Sequence, residues 1–180
     1  MRDKASVAAP SEVVQLVFPV VANPKPKALV VHCADVRFRK AFRNFLEGAV
    51  PTGCLGLKEE DYVSLVIPGG VSSLSEALTL PKQFKVAREQ IDFLLGHFPS
   101  IDQVVLINHE DCAAYKLLTE RVGAAYLRRF TSMLERQHVD LVNVAKVVMG
   151  LEQFKATIKV YMAKFANLEH TQVTFEEVKL

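Results

Sequence analysis

Two short clusters in this sequence hold the side chains best suited to binding a metal ion. Residues 33–37 read CADVR and residues 109–112 read HEDC, and each cluster follows an apolar run. The sulfurs of Cys33 and Cys112 and the imidazole of His109 are the donor types that tetrahedral zinc prefers. If the ends of the two runs lie side by side, three firm ligands leave a fourth position that can open. Such a position is typical of a catalytic zinc site rather than a purely structural one.

The fourth position has two interpretations from the sequence. Asp35, two residues after Cys33, is a candidate fourth ligand. Alternatively, Asp35 turns away from the metal, accepts a hydrogen bond from water and pairs with Arg37, whose planar guanidinium would hold the carboxylate in a fixed fork. Competition between zinc and Arg37 for Asp35 would then gate the open position.

Other residues near these clusters have weaker claims to a functional role. Cys54 lacks a comparable context and is interpreted as a loop or core thiol. Glu110 and Asp111 lie between two ligands and could act as bases, but acids just before a helix usually cap it, so we predict capping. Gly69 and Gly70 follow a strand-like run, and we expect them to bring the backbone close to the metal and offer N–H groups to a small oxyanion.

The pattern of apolar residues predicts an α/β fold. Continuous apolar runs predict strands buried in a parallel sheet at residues 27–32, 61–67 and 103–108. Helical periodicity occurs at residues 38–46, 83–97, 113–118, 124–137 and 139–149. Strand-like runs at residues 157–165 and 171–178 predict a closing hairpin. We therefore expect a mainly parallel central sheet flanked by helices, with an antiparallel C-terminal edge hairpin.

This architecture brings the chemical motifs together. Ligands of open α/β sheets bind beyond the carboxyl ends of the strands. Residues 33–37, 68–70 and 109–112 all follow predicted strands, so all three segments are expected at that edge.

The chain divides into two predicted parts. Residues 1–26 form an arm, in which the prolines at positions 19, 24 and 26 oppose a regular element. Residues 27–180 form a single α/β zinc-binding domain, since 180 residues suffice for one domain with a substantial core.

Composition excludes several classes of protein. The net charge of +2, with basic residues scattered among acids, argues against a nucleic-acid partner. The apolar runs are far shorter than the ~20 residues of a membrane-spanning helix, and we expect neither a membrane segment nor a signal peptide. Three cysteines do not pair evenly, which favours free thiols in a reducing cytoplasm. We therefore expect a cytoplasmic protein with a small-molecule substrate.

The two clusters carry a resemblance to a known family. CADVR resembles the C-x-D-x-R motif of the β-class carbonic anhydrases, and HEDC resembles their H-x-x-C motif. The apolar runs before the motifs are similar in character, and the resemblance covers most of residues 25–165. Only the two motifs are specific.

The resemblance implies a zinc enzyme that reversibly hydrates CO₂ to bicarbonate by attack of a metal-bound hydroxide. It implies that Cys33, His109 and Cys112 bind zinc and that Asp35 and Arg37 form the gating pair. It also implies a homodimer or a multiple of dimers.

Departures from the family pattern generate two alternatives. Residues 67–70 read IPGG where the family usually has RNAG, so Pro68 removes a backbone donor near the substrate. Val36 replaces a small residue, Ala113 replaces a glycine, and the segment from Cys33 to Gly69 is longer than usual. One alternative is a zinc protein of this fold that is catalytically silent or acts on another substrate. The other is a metal-free α/β module that binds a nucleotide or phosphate at residues 68–70.

Overall fold

A computed structural model describes residues 18–75, 81–122 and 132–180. Within these ranges the chain alternates strands with helices. The strands are β1 (Ala28–Cys33), β2 (Tyr62–Ile67), β3 (Gln103–His109), β4 (Thr157–Phe165) and β5 (Val173–Glu177). The helices are α1 (Arg39–Glu47), α2 (Ser72–Ser75), α3 (Pro81–His97), α4 (Ala113–Val122) and α5 (Met133–Met149).

The five strands form one sheet in the order β2-β1-β3-β4-β5. β1 pairs in parallel with both β2 and β3, and β3 pairs in parallel with β4. β5 runs antiparallel to β4 at the sheet edge. The predicted fold class, a mainly parallel sheet with an antiparallel C-terminal hairpin, is confirmed.

The sheet buries a core on each of its faces because successive strand residues point to opposite sides. Leu29 and Val31 of β1 pack on the face covered by α2, α3 and α5, where Ile91 and Val144 are fully buried. Val30 packs on the opposite face, which α1 covers. With apolar layers on both faces, the strands read as continuous apolar runs, as the sequence indicates.

Buried aromatic side chains hold helix α1 against the sheet. Phe42, Phe45 and Leu46 are buried, whereas Arg39 and Arg43 are exposed. Phe45 stacks on Phe175 of β5, with ring centroids 4.1 Å apart. The helix that follows the first cluster therefore also anchors the C-terminal hairpin.

The C-terminal helical stretches form one helix. Helix α5 begins after Ser132, whose hydroxyl oxygen accepts a hydrogen bond from the Glu135 N–H at 3.1 Å. It continues to Met149. One helix therefore contains residues 133–137 of the first predicted stretch and all of the second, residues 139–149. The remainder of the predicted stretch, residues 124–131, lies outside the described residues.

The predicted arm is only partly described. Residues 18–27 contain no helix or strand before β1. The Pro26 carbonyl accepts a hydrogen bond from the Ser100 hydroxyl at 2.8 Å, which fixes the chain where it enters the sheet. Residues 1–17 lie outside the described residues, so the boundary between arm and domain stays a prediction. None of the described helices is long and apolar enough to cross a membrane.

Truncation of Phe42 tests the core beneath α1. Phe42 is 1% exposed and contacts the rings of Phe38 and Phe175. Phe42→Ala should lower the free energy of unfolding by about 3–5 kcal/mol, because it leaves a cavity between helix and sheet. Leu168→Ala, at a side chain that is 96% exposed, should change it by less than about 0.5 kcal/mol. Urea unfolding of both variants measures this, and equal effects would contradict the assigned core.

Candidate metal centre

The parallel pairing of β1 with β3 brings the two sequence clusters to one edge of the sheet. Cys33 ends β1, His109 ends β3, and Cys112 follows three residues later. The two sulfurs are 3.9 Å apart, and one ligand atom from each of the three residues lies within 4.8 Å of the others. All three side chains are buried. The residues predicted to share a metal ion are therefore close enough to do so.

The imidazole of His109 has the orientation of a metal ligand. Its Nδ1 lies 2.8 Å from the Glu110 carbonyl oxygen. A carbonyl can only accept, so Nδ1 carries a proton, and in the neutral ring that binds metals Nε2 keeps a lone pair. Nε2 is buried and has no hydrogen-bond partner among the described residues. Metal-binding histidines commonly donate one nitrogen to a carbonyl and present the other to the cation, and a cation would satisfy this buried acceptor.

The pKa values of the two thiols are shifted in opposite directions. Hydrogen bonding from the Cys112 thiol lowers the pKa of Cys33, and the neighbouring His109 ring and the Gly69 N–H, which donates at 3.2 Å, lower it further. The pKa of Cys112 is raised, because it keeps the proton between the two sulfurs and is buried. The N–H groups of Tyr115 and Ala114 at the start of α4 oppose this rise. The pair thus holds negative charge that a divalent cation could neutralise.

Asp35 is paired with Arg37. Both Asp35 carboxylate oxygens accept hydrogen bonds from the Arg37 guanidinium, the shortest at 2.7 Å, and these bonds lower the pKa of Asp35. Asp35 does not belong to the group of converging ligand atoms found among the described residues. Of the two arrangements that the sequence left open, the structure has the one in which Asp35 is turned to Arg37.

Arg37 also connects the two clusters. Its guanidinium donates to the Asp111 carboxylate at 2.9 Å and to the Asp111 carbonyl at 3.0 Å. Lys116 forms a second ion pair with Asp111, and Lys116 and Arg37 together lower the pKa of Asp111 to about 2. Arg37 therefore fixes the loop after β1 against the loop after β3.

The prediction that either Glu110 or Asp111 caps α4 is wrong. α4 begins at Ala113, so Cys112 occupies the capping position. The Asp111 carboxylate binds Arg37 and Lys116, and the Glu110 carboxylate accepts from the Phe165 N–H at 3.0 Å. Phe165 is 55 residues away in sequence, so no local pattern could have indicated this contact.

Gly69 and Gly70 allow the backbone to approach the metal centre. Both have positive φ angles, +84° and +56°. A Cβ atom on Gly70 would lie 3.2 Å from Asn108 Oδ1 and 3.3 Å from the backbone nitrogen of Cys33. The N–H of Gly69 donates to the Cys33 sulfur, and that of Gly70 to the Ile67 carbonyl at 2.8 Å. An oxyanion would have to share these donors, and the predicted contact stays a prediction.

Sequence reasoning missed a group of buried polar residues beneath the centre. Gln137 of α5 donates to the His109 carbonyl at 3.0 Å, and Asn108 donates to the Tyr115 hydroxyl at 2.9 Å. Arg136 is fully buried and lies 3.5 Å from Asp140. The spacing of Arg136 and Asp140 by four residues on one helix was the available signal.

Cys54 is separate from this centre. It is half-buried in the loop after α1, and its sulfur accepts a hydrogen bond from the Thr52 hydroxyl at 3.3 Å. It does not belong to the group of converging ligand atoms found in the described part of the chain. The interpretation of Cys54 as a loop thiol is consistent with this placement.

Substitution of Gly70 tests the close approach. Gly70→Ala combines a left-handed backbone with tight Cβ contacts, so the free energy of unfolding should fall by about 1–3 kcal/mol. Gly96→Ala is the matched control, since Gly96 lies in α3 and its Cβ would meet the Gln153 side chain at ordinary distances of 3.5 Å or more. The control should leave stability unchanged or slightly raised. Thermal and urea unfolding measure both, and a stable Gly70→Ala protein would contradict the packing described.

Comparisons with known proteins give a fold. A carbonic anhydrase from Streptococcus mutans superposes with a TM-score of 0.53 at 16% identity, covering 90% of this chain and 88% of that one. β-Carbonic anhydrases from Sordaria macrospora, described as tetrameric, give 0.52 at 14% identity over 88% and 83%. No family model and no curated protein sequence matches this chain. The chain has the β-carbonic anhydrase fold with a divergent sequence, as the resemblance predicts.

Proposed function

We propose that this protein binds zinc through Cys33, His109 and Cys112 and reversibly hydrates CO₂ to bicarbonate. One observation carries the proposal: three buried donor atoms converge beside the Asp35–Arg37 pair, and the Nε2 lone pair of His109 has no partner among the described residues. The fold supports it, because the solved structures of similar fold include carbonic anhydrases.

The donor set fits zinc. Two thiolates would neutralise the charge of Zn²⁺, and a neutral imidazole completes three nitrogen and sulfur ligands. When bound, zinc would supply an acidified water as a nucleophile near neutral pH. Cys33, His109 and Cys112 would hold the ion, and Asp35, which is paired with Arg37, would not be one of its ligands.

Asp35 and Arg37 would orient the reacting water. Arg37 occupies both carboxylate oxygens of Asp35 and lowers its pKa, so Asp35 stays an acceptor at neutral pH. An ionised Asp35 can accept a hydrogen bond from water and fix its lone pair toward CO₂. Rotation of Asp35 away from Arg37 and onto the metal would close the fourth position, which is the proposed gate.

Gly69 and Gly70 keep a proposed place on the substrate side of the centre. Their positive φ angles let the chain approach the metal without side chains. Pro68 has no N–H, and the two glycine N–H groups donate to protein acceptors. We therefore propose that the glycines provide space for a small substrate and share their donors with it.

Assembly and location complete the proposal. We propose a cytoplasmic homodimer or a multiple of dimers, with CO₂ and bicarbonate as small-molecule ligands. Phe18, Val20 and Val21 are exposed apolar side chains just before the domain and are suited to contact a second subunit. The tetrameric assembly of the similar Sordaria proteins is consistent with this proposal.

A zinc protein without CO₂ hydratase activity, or with a different substrate, is the second candidate. The observation that favours it is the sequence of residues 67–70, where an isoleucine and a proline replace polar groups expected near the substrate. A metal-free phosphate binder is a weaker candidate, because the Gly69 N–H that would cradle an anion donates to Cys33.

Metal analysis combined with a hydration assay tests the proposal. The purified wild type and Cys54→Ala should each carry about one zinc per chain and hydrate CO₂ in stopped-flow traces. Cys33→Ala should lose most of the zinc and the activity, because two remaining protein ligands bind zinc weakly. Stoichiometric zinc without hydration would favour the second candidate, and purified wild type without a transition metal would contradict the zinc site itself.

Asp35→Asn tests whether Asp35 is a metal ligand or a residue that orients the reacting water. Because Asp35 is turned to Arg37, this variant should keep the wild-type zinc content while hydration falls by about 10²-fold or more. His109→Ala is the comparison, and it should lose zinc. Loss of zinc from Asp35→Asn would show instead that the carboxylate is a permanent ligand.

A further inference from the structure

We infer that Glu110 is the positioning residue of the metal centre: it fastens the end of β4 to the peptide group that orients the His109 imidazole. The inference rests on the proposed metal site and adds a role for a residue that sequence reasoning treated as a base or a cap. It concerns only how the ligand is held, since Glu110 is not one of the converging donors.

Glu110 makes three contacts that link β4 with His109. Its N–H donates to the Ala163 carbonyl at 2.9 Å. Its carboxylate Oε2 accepts from the Phe165 N–H at 3.0 Å. Its carbonyl accepts from His109 Nδ1 at 2.8 Å. The backbone and the side chain of one residue thus bind two positions of β4, and its carbonyl fixes the ring.

The carboxylate supplies an acceptor where the strand pairing ends. The last pair between β3 and β4 joins His109 to Ala163. The chain then turns at Asp111, which has a φ of +57°. Beyond that turn β3 no longer runs beside Phe165, and the Glu110 side chain accepts the Phe165 N–H in its place. A half-buried backbone donor is satisfied in this way.

Holding this peptide group fixes the direction of Nε2. The imidazole rotates about two side-chain bonds, and its hydrogen bond to the Glu110 carbonyl selects one orientation. The carbonyl can orient the ring only if the backbone of Glu110 is itself held in place. The peptide group between His109 and Glu110 is held at both its polar atoms, because Gln137 donates to its His109 carbonyl at 3.0 Å and its Glu110 N–H donates to Ala163. Glu110 therefore contributes through geometry, because its carboxylate accepts from the backbone N–H of Phe165.

The experiment compares Glu110→Met with Glu110→Gln, using Co²⁺ as a spectroscopic probe and Zn²⁺ for affinity. Met has similar length but no strong acceptor, so it removes the contact to Phe165. Gln keeps an acceptor oxygen and loses the charge. Glu169→Ala, at an exposed residue in the turn between β4 and β5, is the control.

The expected results distinguish the effect of the Glu110 hydrogen bond from the effect of the Glu110 charge. Glu110→Met should bind zinc about tenfold more weakly and shift the ligand-field bands of the cobalt protein, because the imidazole orientation relaxes. Glu110→Gln and Glu169→Ala should match the wild type in both measurements. A wild-type spectrum and affinity in Glu110→Met would overturn the inference. Equal defects in Glu110→Met and Glu110→Gln would also overturn it, since the charge rather than the hydrogen bond would then matter.

Failure of this inference can be told apart from failure of the proposed function. If the wild type binds cobalt but its zinc form does not hydrate CO₂, the proposed reaction fails while the spectra still decide the role of Glu110. If the wild type binds neither ion, the metal centre and the inference fall together. Should Glu110→Met not fold, Glu110→Asp is substituted: its shorter carboxylate cannot reach the Phe165 N–H, and the same spectral shift is expected. A wild-type spectrum in Glu110→Asp would overturn the inference.

Discussion

The parallel pairing of β1 with β3 is the constraint on which the rest of the site depends. Parallel neighbours end at the same edge of a sheet, so Cys33 and His109 meet although 76 positions separate their numbers. Cys112 joins them because the chain turns at Asp111 and enters α4 within three residues. Apolar layers on both faces fix this pairing, since a slip of one residue would send the core side chains to the wrong side.

Charge at this edge is arranged in two layers. The inner layer is the sulfur pair and the imidazole, which converge and are buried. The outer layer is the Arg37 guanidinium, which binds Asp35 and Asp111 from the two loops. Because these ion pairs are partly exposed, they contribute more to the geometry of the site than to the free energy of unfolding. The guanidinium fork fixes the orientation of the Asp35 carboxylate.

Much of the fold and the ligand set could be predicted from the sequence, for reasons visible in particular residues. The apolar run before Cys33 reports burial on both faces of a strand, and the aromatic spacing of Phe42 and Phe45 reports a helix on one face. Cysteine and histidine at the ends of two such runs predict a shared site because parallel strands align their ends. The contact between Glu110 and Phe165 had no such signal, and local pattern suggested helix capping instead. The same holds for Gln137, which looks like an ordinary helix residue until its amide is found on the His109 carbonyl.

By itself, the sequence determined which atoms are available for chemistry and which segments form strands and helices, because side-chain type and local periodicity are properties of neighbouring residues. Only the tertiary structure decided how those atoms are held. The bridging of Asp35 and Asp111 by Arg37, the donation of the Gly69 N–H to the Cys33 sulfur and the attachment of His109 to β4 through Glu110 all join distant parts of the chain. Hydrogen bonds between distant residues depend on strand register and on the angle at which loops leave the sheet, and neither is written in the local order of amino acids.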